Sequence, residues 1–404
     1  MHIGERTMHI GERIAAYRKR RAMSQEALAG LVGRSRSWLS QVERGIRGVD
    51  KLSTVNDLAA VLRITPSDLV GHDWKLAPNG SPQVRAVAEI RASLADYGHL
   101  LGRPSTPWPL PQLRNATAEV HRAYQAARYG STAAMLPDLV RAADGYDGFT
   151  GQASRDIHLA RCSAYVVAAK LLTKVGEDEL AWIAADRATH AAMAADSSEA
   201  QGMAAYQVAC ALHGTERQED AERVALAAAE RLMPHIATDL PGLVSLAGAN
   251  WLLASVMAAR RADRAEANTR LAMAEGLSDL LARDANHVWT AFGPTNVWIH
   301  RASVAAELGD PHGVLRAATQ VDTEQMPQGL NSRRAQIHLD LAWAETQARN
   351  DMEAILQLQQ VDNRAPEVIR YNTIAREMLR ELLKRSRSRT PALDVLAQRA
   401  GILT

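Results

Sequence analysis

Residues 23–45 read MSQEALAGLVGRSRSWLSQVERG, and this pattern predicts two short helices joined by a tight turn. Ser24 precedes the first helix, where its side-chain oxygen can accept a hydrogen bond from a free N–H group of the first turn. Gly33 stands where the chain needs a left-handed residue to leave that helix. A second helix is predicted from about Ser35 to Glu43.

The two predicted helices are amphipathic. Apolar residues at helical spacing are expected to face a small core: Leu28, Leu31, Val32, Leu39 and Val42. Polar residues are expected to point outward from the second helix: Arg36, Ser37, Ser40 and Gln41. The second helix carries arginine, serine and glutamine outward. Two helices at this spacing are typical of a DNA-binding motif whose second helix enters the major groove.

At these residues the chain resembles the phage-repressor (Xre-type) helix-turn-helix family, over about residues 10–70. The matching positions are Arg18, the Ser24-Gln25 start, Gly33, Ser35-Arg36-Ser37 and the Glu43-Arg44-Gly45 ending. The resemblance implies a five-helix repressor-like domain that binds an operator in double-stranded DNA. A further helix at residues 52–62 and a short fifth helix at residues 65–69 complete this domain.

The resemblance also implies roles for single residues. Gln25 would contact the DNA backbone, and Arg36, Ser37 and Gln41 would reach base edges. Lys51 matches a position that approaches the neighbouring minor groove. For each of these polar residues the alternative is an ordinary solvated helix face.

Two further groups of residues belong to the same prediction. Arg18 and Glu43 are implied to pair, which would tie the first helix to the recognition helix. Arg34, Arg44 and Arg47 are also predicted to be DNA-binding residues. Arg34 stands where many family members have an apolar or small residue, so the resemblance leaves its role open.

The charge distribution agrees with a DNA-binding N-terminal part. The formal net charge is +2, but residues 1–75 carry +5 and the remainder carries −3. A basic excess beside the helix-turn-helix is what attraction to phosphates needs.

Composition limits the class of protein. A chain of 404 residues with 47% hydrophobic residues allows two or three domains. No apolar run approaches the roughly 18 residues of a membrane span, and no secretory signal is visible, so we expect a cytoplasmic protein without a membrane partner. Cys162 and Cys210 are the only cysteines, and reduced buried thiols are favoured over a disulfide.

The domain organisation follows from breaks in composition. The motif MHIGER occurs twice, and residues 1–7 are expected to form a disordered tail before a DNA-binding domain at residues 8–72. Residues 73–111 are predicted to be a linker with an amphipathic helix over residues 84–101. That helix either packs against the next domain or forms a dimer contact. Residues 112–404 are predicted to be a repeat domain.

Repeated helical hairpins dominate the predicted repeat domain. The clearest spans residues 298–321, where an alanine-rich helix ends at Leu308 and Gly309-Asp310-Pro311 forms a turn. Similar breaks lie at residues 175–178, 213–216, 261–263 and 349–351. The region resembles degenerate tetratricopeptide repeats, so the predicted fold is all-α: a repressor-like head followed by a tetratricopeptide-like helical-hairpin solenoid. Joined to such a head, the resemblance implies a sensor of a peptide or small molecule.

The most unusual segment of the repeats is residues 286–298, which concentrates aromatic residues in a chain that is 4% aromatic. Aromatic rings beside an amide, an imidazole and a guanidinium could hold a peptide or a small acid. The predicted ligand-binding residues are Trp289, Phe292, Asn296, His300 and Arg301. The alternative is a well-packed loop between repeats with its aromatic rings in the core.

No pattern in the sequence predicts an enzyme. Walker, GxSxG, HExxH and dinucleotide-binding motifs are lacking, and the histidines of the repeats occur singly, so we expect no catalytic residue, metal site or cofactor. The favoured function is a ligand-responsive transcription regulator that binds DNA as a homodimer. The alternative is a DNA-tethered protein-interaction scaffold without a small ligand.

Overall fold

The computed structural model describes residues 10–21, 23–44, 49, 52–62, 69, 82–98, 102, 106–146, 154–214, 217–236, 240–386 and 390–403. Every regular element in these residues is helical, which confirms the predicted all-α class. The chain divides into two compact units, residues 1–77 and 78–404. The predicted tail, the fifth helix at residues 65–69 and the linker over residues 73–81 fall on residues that are not described, apart from Leu69.

The first unit contains four described helices: α1 Ile10–Arg20, α2 Gln25–Leu31, α3 Arg36–Glu43 and α4 Leu52–Leu62. Their apolar faces meet in one core, whose most buried members in these helices are Ile14, Leu28, Ala29, Leu39, Val42, Leu58, Ala59 and Leu62. The bounds of α4 agree with the predicted helix over residues 52–62.

The expected burial of Leu31 is wrong, because its side chain is 64% exposed. The inward stripe of α2 is formed by Leu28, Ala29 and Val32 instead. At 3.6 residues per turn, Leu31 lies roughly 100° from the middle of that stripe and therefore points to solvent.

The second unit is a succession of helices, most of which pack on the next one along the chain. Their bounds are α5 Pro82–Leu94, α6 Leu110–Gln125, α7 Tyr129–Asp144, α8 Ser154–Lys174, α9 Asp178–Ala194, α10 Ser198–Gly214, α11 Gln218–Leu232, α12 Pro241–Arg260, α13 Arg264–Leu281, α14 Pro294–Glu307, α15 Pro311–Ala318, α16 Asn331–Gln347, α17 Asp351–Arg364, α18 Pro366–Tyr371, α19 Thr373–Arg385 and α20 Pro391–Arg399. Short 3₁₀ turns lie at Met233–His235, His287–Trp289 and Thr323–Gln325.

The predicted hairpin breaks are all present. The breaks at residues 175–178, 213–216, 261–263 and 349–351 each fall between two consecutive helices. In the hairpin predicted over residues 298–321, Gly309 adopts a left-handed φ of 70° after α14. Asp310 then caps α15 by accepting a hydrogen bond from the Gly313 N–H at 2.8 Å. Local sequence therefore determines where these helices stop and start.

The amphipathic helix predicted over residues 84–101 is shorter than expected. Helix α5 ends at Leu94, and Tyr97, which falls within the predicted range, lies beyond the helix and is 50% exposed. The buried face of α5 carries Val87, Ile90 and Leu94 and packs on α7, with fewer contacts to α9. Arg91 adds an ion pair to Glu177 at 3.1 Å. This helix is therefore part of the second unit.

One described helix, α12, is long and apolar enough to cross a membrane by length and composition. The sequence expectation that no run approaches that length is corrected here. The most apolar stretch of α12 is 78% buried inside the second unit, as in the core helix of a helical protein.

Two early helices of this succession, α6 and α7, contact the late helices α16 and α18. The backbone N–H of Gly130, in the first turn of α7, donates to Glu367 Oε2 of α18 at 2.8 Å. The rings of Tyr129 and Tyr371 meet edge to face with centroids 6.0 Å apart. Helix α6 also packs on α16. The α6–α7 hairpin is therefore held by elements more than 200 residues further along the chain.

Candidate functional site

The two helices of the motif begin at serine caps. Ser24 Oγ accepts from the Ala27 N–H at 3.0 Å, and Ser35 Oγ accepts from the Trp38 N–H at 3.1 Å. Gly33 between them has a left-handed φ of 63°, a conformation that glycine adopts without strain. These local interactions fix the turn that places α3 against α2.

The pair of Arg18 and Glu43 joins α1 to the end of α3. Arg18 donates from Nε to Glu43 Oε1 at 2.6 Å and from Nη2 to Oε2 at 2.9 Å, a bidentate arrangement. A third hydrogen bond runs from Arg18 Nη1 to the carbonyl oxygen of Met23 at 2.8 Å. Gln25, the residue predicted to touch the DNA backbone, donates from Nε2 to Glu43 Oε2 at 2.8 Å. One carboxylate therefore orients the start of α2 and the end of α3.

The ionisation of Glu43 follows from these contacts. Burial by itself would raise the pKa of Glu43, but hydrogen bonds from Arg18 and Gln25 outweigh burial, and the pKa is lowered. The hydrogen bond to Glu43 in turn raises the pKa of Arg18. Both groups are therefore charged near neutral pH, and the pair stays intact.

Arg36, Ser37 and Gln41 form the outward face of α3. Arg36 and Ser37 are exposed in the first turn, and Gln41 lies one turn after Ser37 and is half-buried. Within the described part of the chain, none of the three side chains is held by a hydrogen bond or an ion pair. This face is therefore free to contact an external partner.

The remaining predicted DNA-binding residues have mixed surroundings. Arg34 donates from Nη2 to Thr54 Oγ1 at 3.1 Å, and its guanidinium lies 5.6 Å from the Trp38 ring centroid. Arg44 is exposed and donates from Nε to the Ser40 carbonyl at 3.1 Å, at the end of α3. Arg47 and Lys51 lie outside the described residues.

The five predicted ligand-binding residues do not form one cluster. Phe292 is fully buried in the core, where its ring lies against the backbone of Gly248. Trp289 instead stacks on His121 with ring centroids 4.6 Å apart and planes 1° apart. Trp289 and Phe292 therefore pack against different helices.

Helix α14 carries the other three residues on two faces. Asn296 and His300 are buried one turn apart, and His300 Nδ1 donates to the Asn296 carbonyl at 2.9 Å. Burial, followed by the charge of Arg333, lowers the pKa of His300 to about 3. Arg301 lies over the Trp298 ring at 4.9 Å and donates to Glu275 Oε2 at 2.9 Å, beside a cleft of about 610 Å³ that the other two residues do not line.

The backbone around Trp289 is strained. Val288, Trp289 and Ala291 have φ values of 44°, 62° and 54°, which non-glycine residues seldom adopt and which are least favourable for a β-branched residue. Each such residue costs on the order of 1–3 kcal/mol, so the surrounding structure must hold it in place. Gln125 and Asn286 exchange two amide hydrogen bonds of 2.9 Å each, and Lys170 Nζ donates to the Trp289 carbonyl at 3.0 Å.

Lys170 belongs to a group that sequence reasoning missed. Lys170 and Lys174 lie one turn apart on α8, and the charge of Arg333 from α16 acts on both. We call Lys170, Lys174 and Arg333 the cation cluster. The available sequence signal was two of only six lysines, placed one turn apart directly after a buried apolar run at residues 164–169. No residue near Lys170 or Lys174 in the sequence indicates that Arg333 of α16 acts on them.

The comparison with known families found a match, which lies within the first unit. Residues 9–70 match the family described as the helix-turn-helix domain. No curated protein matches the chain. The N-terminal unit is therefore a helix-turn-helix domain, which indicates DNA binding and a regulatory function.

Proposed function

We propose that the protein is an Xre-type transcription regulator that binds an operator as a homodimer and responds to a peptide or a small molecule. The observation that carries the DNA-binding part is the face formed by Arg36, Ser37 and Gln41. This face is open, while the Arg18–Glu43 pair behind it fixes the position of α3. Arginine and glutamine can each form two hydrogen bonds to a base edge in the major groove.

The sensor part of the proposal is assigned to the second unit, which we interpret as a tetratricopeptide-like solenoid. Its support is the regular succession of helical hairpins, together with the strained loop at residues 288–291. A ligand can change operator affinity only through a difference in its affinity for two arrangements of the protein. A strained segment held by several helices is a suitable element for such a difference. The proposed location is the cytoplasm, where the DNA is.

Selection of binding sites from random double-stranded DNA tests the DNA-binding part. Full-length protein should enrich a short pseudo-palindromic sequence, because two domains related by two-fold symmetry read two half-sites. The selection is carried out at a salt concentration that suppresses non-specific binding to phosphates. If no sequence is enriched after repeated rounds, the proposal is contradicted.

The sensor part has a separate test once an operator is known. A thermal-shift screen against peptides and metabolites identifies ligands of the second unit, and fluorescence anisotropy then measures operator affinity with and without each ligand. A sensor gives a ligand that both stabilises the protein and shifts operator affinity. Ligands that stabilise the protein and leave operator affinity unchanged would contradict sensing.

A further inference from the structure

The cation cluster has no anionic partner among the described residues, in contrast to two ion-paired arginines of the second unit. Elsewhere Arg187 pairs with Asp144 at 3.0 Å and Arg270 pairs with Glu222. In the described residues, no carboxylate lies within ion-pair distance of Lys170, Lys174 or Arg333. The charge of Arg333 therefore acts on both lysines, and no described carboxylate forms an ion pair with any of the three.

The surroundings of the cation cluster are aromatic and rich in hydrogen-bond donors. Lys174 Nζ lies 5.9 Å from the centroid of the Tyr129 ring, and Tyr124 packs on Tyr129 with ring centroids 5.7 Å apart. Lys170 Nζ reaches the Trp289 carbonyl of the strained loop at 3.0 Å. The charge of Arg333 also acts on Tyr124 and on Tyr206 of α10. The cluster and the groups around it therefore come from α6, α7, α8, α10 and α16.

The residues of the cluster each keep part of their surface exposed. Lys170, Lys174 and Arg333 are each half-buried, as are Tyr206 and Cys210 beside them. Burial, with Arg333 acting in the same direction, lowers the pKa of each lysine to about 8, so both ammonium groups remain mostly protonated at neutral pH. An accessible, partly desolvated group of cations attracts anions more strongly than an exposed one does.

We propose that Lys170, Lys174 and Arg333 bind the carboxylate or phosphate group of a small ligand, with the neighbouring tyrosines as further hydrogen-bond donors. Such an oxyanion would supply the negative partner that the described residues do not give these three cations. The bond from Lys170 to the Trp289 carbonyl connects the site with the strained loop. Only the biological role of this site rests on the proposed sensor function, because anion binding itself is measured without DNA.

Cys210 provides a probe of the site, because it is half-buried and the charges of Lys170 and Arg333 act on its thiol. The Cys162→Ala variant of the full chain removes the other thiol, which is buried. A methanethiosulfonate reagent transfers its alkylthio group to the Cys210 thiolate and releases methanesulfinate. The rate with the anionic sulfonatoethyl reagent is compared with the rate with the cationic trimethylammonioethyl reagent, each relative to free cysteine. This ratio cancels the effect of the thiol pKa.

The expected ratio favours the anionic reagent by at least about tenfold. Lys170→Gln and Arg333→Gln should each lower the ratio several-fold, whereas Lys384→Gln, which removes a lysine outside the cluster, should leave it unchanged. Circular dichroism establishes that each variant is folded, and two cluster variants keep the test informative if one is unstable. A ratio like that of free cysteine, a ratio unchanged in both cluster variants, or lack of reaction with either reagent would overturn the proposal.

Protection of Cys210 then tests binding of the anion itself. Benzoate or phenyl phosphate should slow modification, and the neutral benzamide should not. Protection by benzoate at the lower concentration indicates a carboxylate ligand, and the reverse order indicates a phosphate. Equal protection by benzamide, or none by either anion, would overturn the proposal while leaving DNA binding untouched.

Discussion

Arg36 and Gln41 differ from most polar side chains of the first unit because no described residue holds them. We therefore expect Arg36→Ala and Gln41→Ala each to weaken binding to the selected operator by about 1–3 kcal/mol and to relax the preference at one or two base positions. Competition binding against a set of single-base operator variants measures both effects.

Arg141→Ala is the matched control for the charge change, because Arg141 is an exposed arginine of the second unit that pairs only with Asp138. It should leave operator affinity and base preference unchanged. If Arg36→Ala and Gln41→Ala keep the base preference of the parent protein, another face of the first unit makes the base contacts.

Asp340 is a buried carboxyl whose pKa sets a pH dependence of stability. Burial raises its pKa from 3.8 to about 7, against the hydrogen bonds donated by Ser303 and Gln336. Between about pH 4 and pH 7 the folded protein keeps a proton that the unfolded chain has lost, so the unfolding free energy falls as pH rises through this range. Above pH 7 the contribution of Asp340 is constant.

Asp340→Asn should abolish that part of the pH dependence. The difference in unfolding free energy between parent and variant should change by at most about 4 kcal/mol from pH 4 to pH 7. Urea denaturation at several pH values measures this difference, in which the opposite contributions of His213 and His300 cancel. A difference independent of pH would show that Asp340 titrates normally.

Single residues were predictable from sequence where their surroundings are local. The caps at Ser24 and Ser35 and the left-handed Gly33 depend on residues within one turn, and the structure has all three. The cation cluster was missed because Arg333 and Lys170 are brought together by helices far apart in the sequence. The pattern of apolar residues within each helix does not indicate that the two helices meet.

Among the helices, α12 illustrates how a missing side chain permits close packing. A Cβ atom at Gly248 would overlap the ring of Phe292, which is fully buried. Gly248→Ala should therefore lower the unfolding free energy of the second unit by about 1–3 kcal/mol, because a well-packed core must shift to accept the methyl group. Thermal or urea denaturation checks this expectation.

Gly276→Ala is the control in the neighbouring helix α13. Gly276 is exposed, and nothing lies within 4 Å of the position that its Cβ atom would take. This substitution should stabilise the protein by about 0.5–1 kcal/mol, since alanine favours a helix more than glycine does. Equal effects of the two substitutions would contradict the close contact with Phe292.

The elements themselves were largely predictable, and the relations between them were not. Helix ends at Gly309 and at residues 261–263 carry turn residues or charges that mark them locally. The segment around Trp289 was recognised as unusual, but Phe292 lies in the core because a distant glycine leaves space for its ring. That space depends on how the chain packs in three dimensions, and no residue next to Phe292 in the sequence indicates it.

For the whole molecule, the proposed mode of DNA binding requires two copies. One small domain contacts few bases, and paired domains bind half-sites about one DNA turn apart. Light scattering at micromolar concentration should therefore give the mass of the operator duplex plus twice the chain mass of 44.0 kDa. A mass of one chain per operator, with protection of a single half-site, would exclude the homodimer.

The contact between Gly130 and Glu367 joins positions 237 residues apart and has a consequence for synthesis on the ribosome. The α6–α7 hairpin emerges early, but the α18 residues that complete its surroundings are translated much later. At typical translation rates this interval is roughly 10–50 s, far longer than a helical hairpin needs to form. Throughout that time the faces of Tyr129 and Gly130 that α18 later covers stay open to solvent or to a chaperone. The second unit therefore cannot complete its folding until its last helices have been translated.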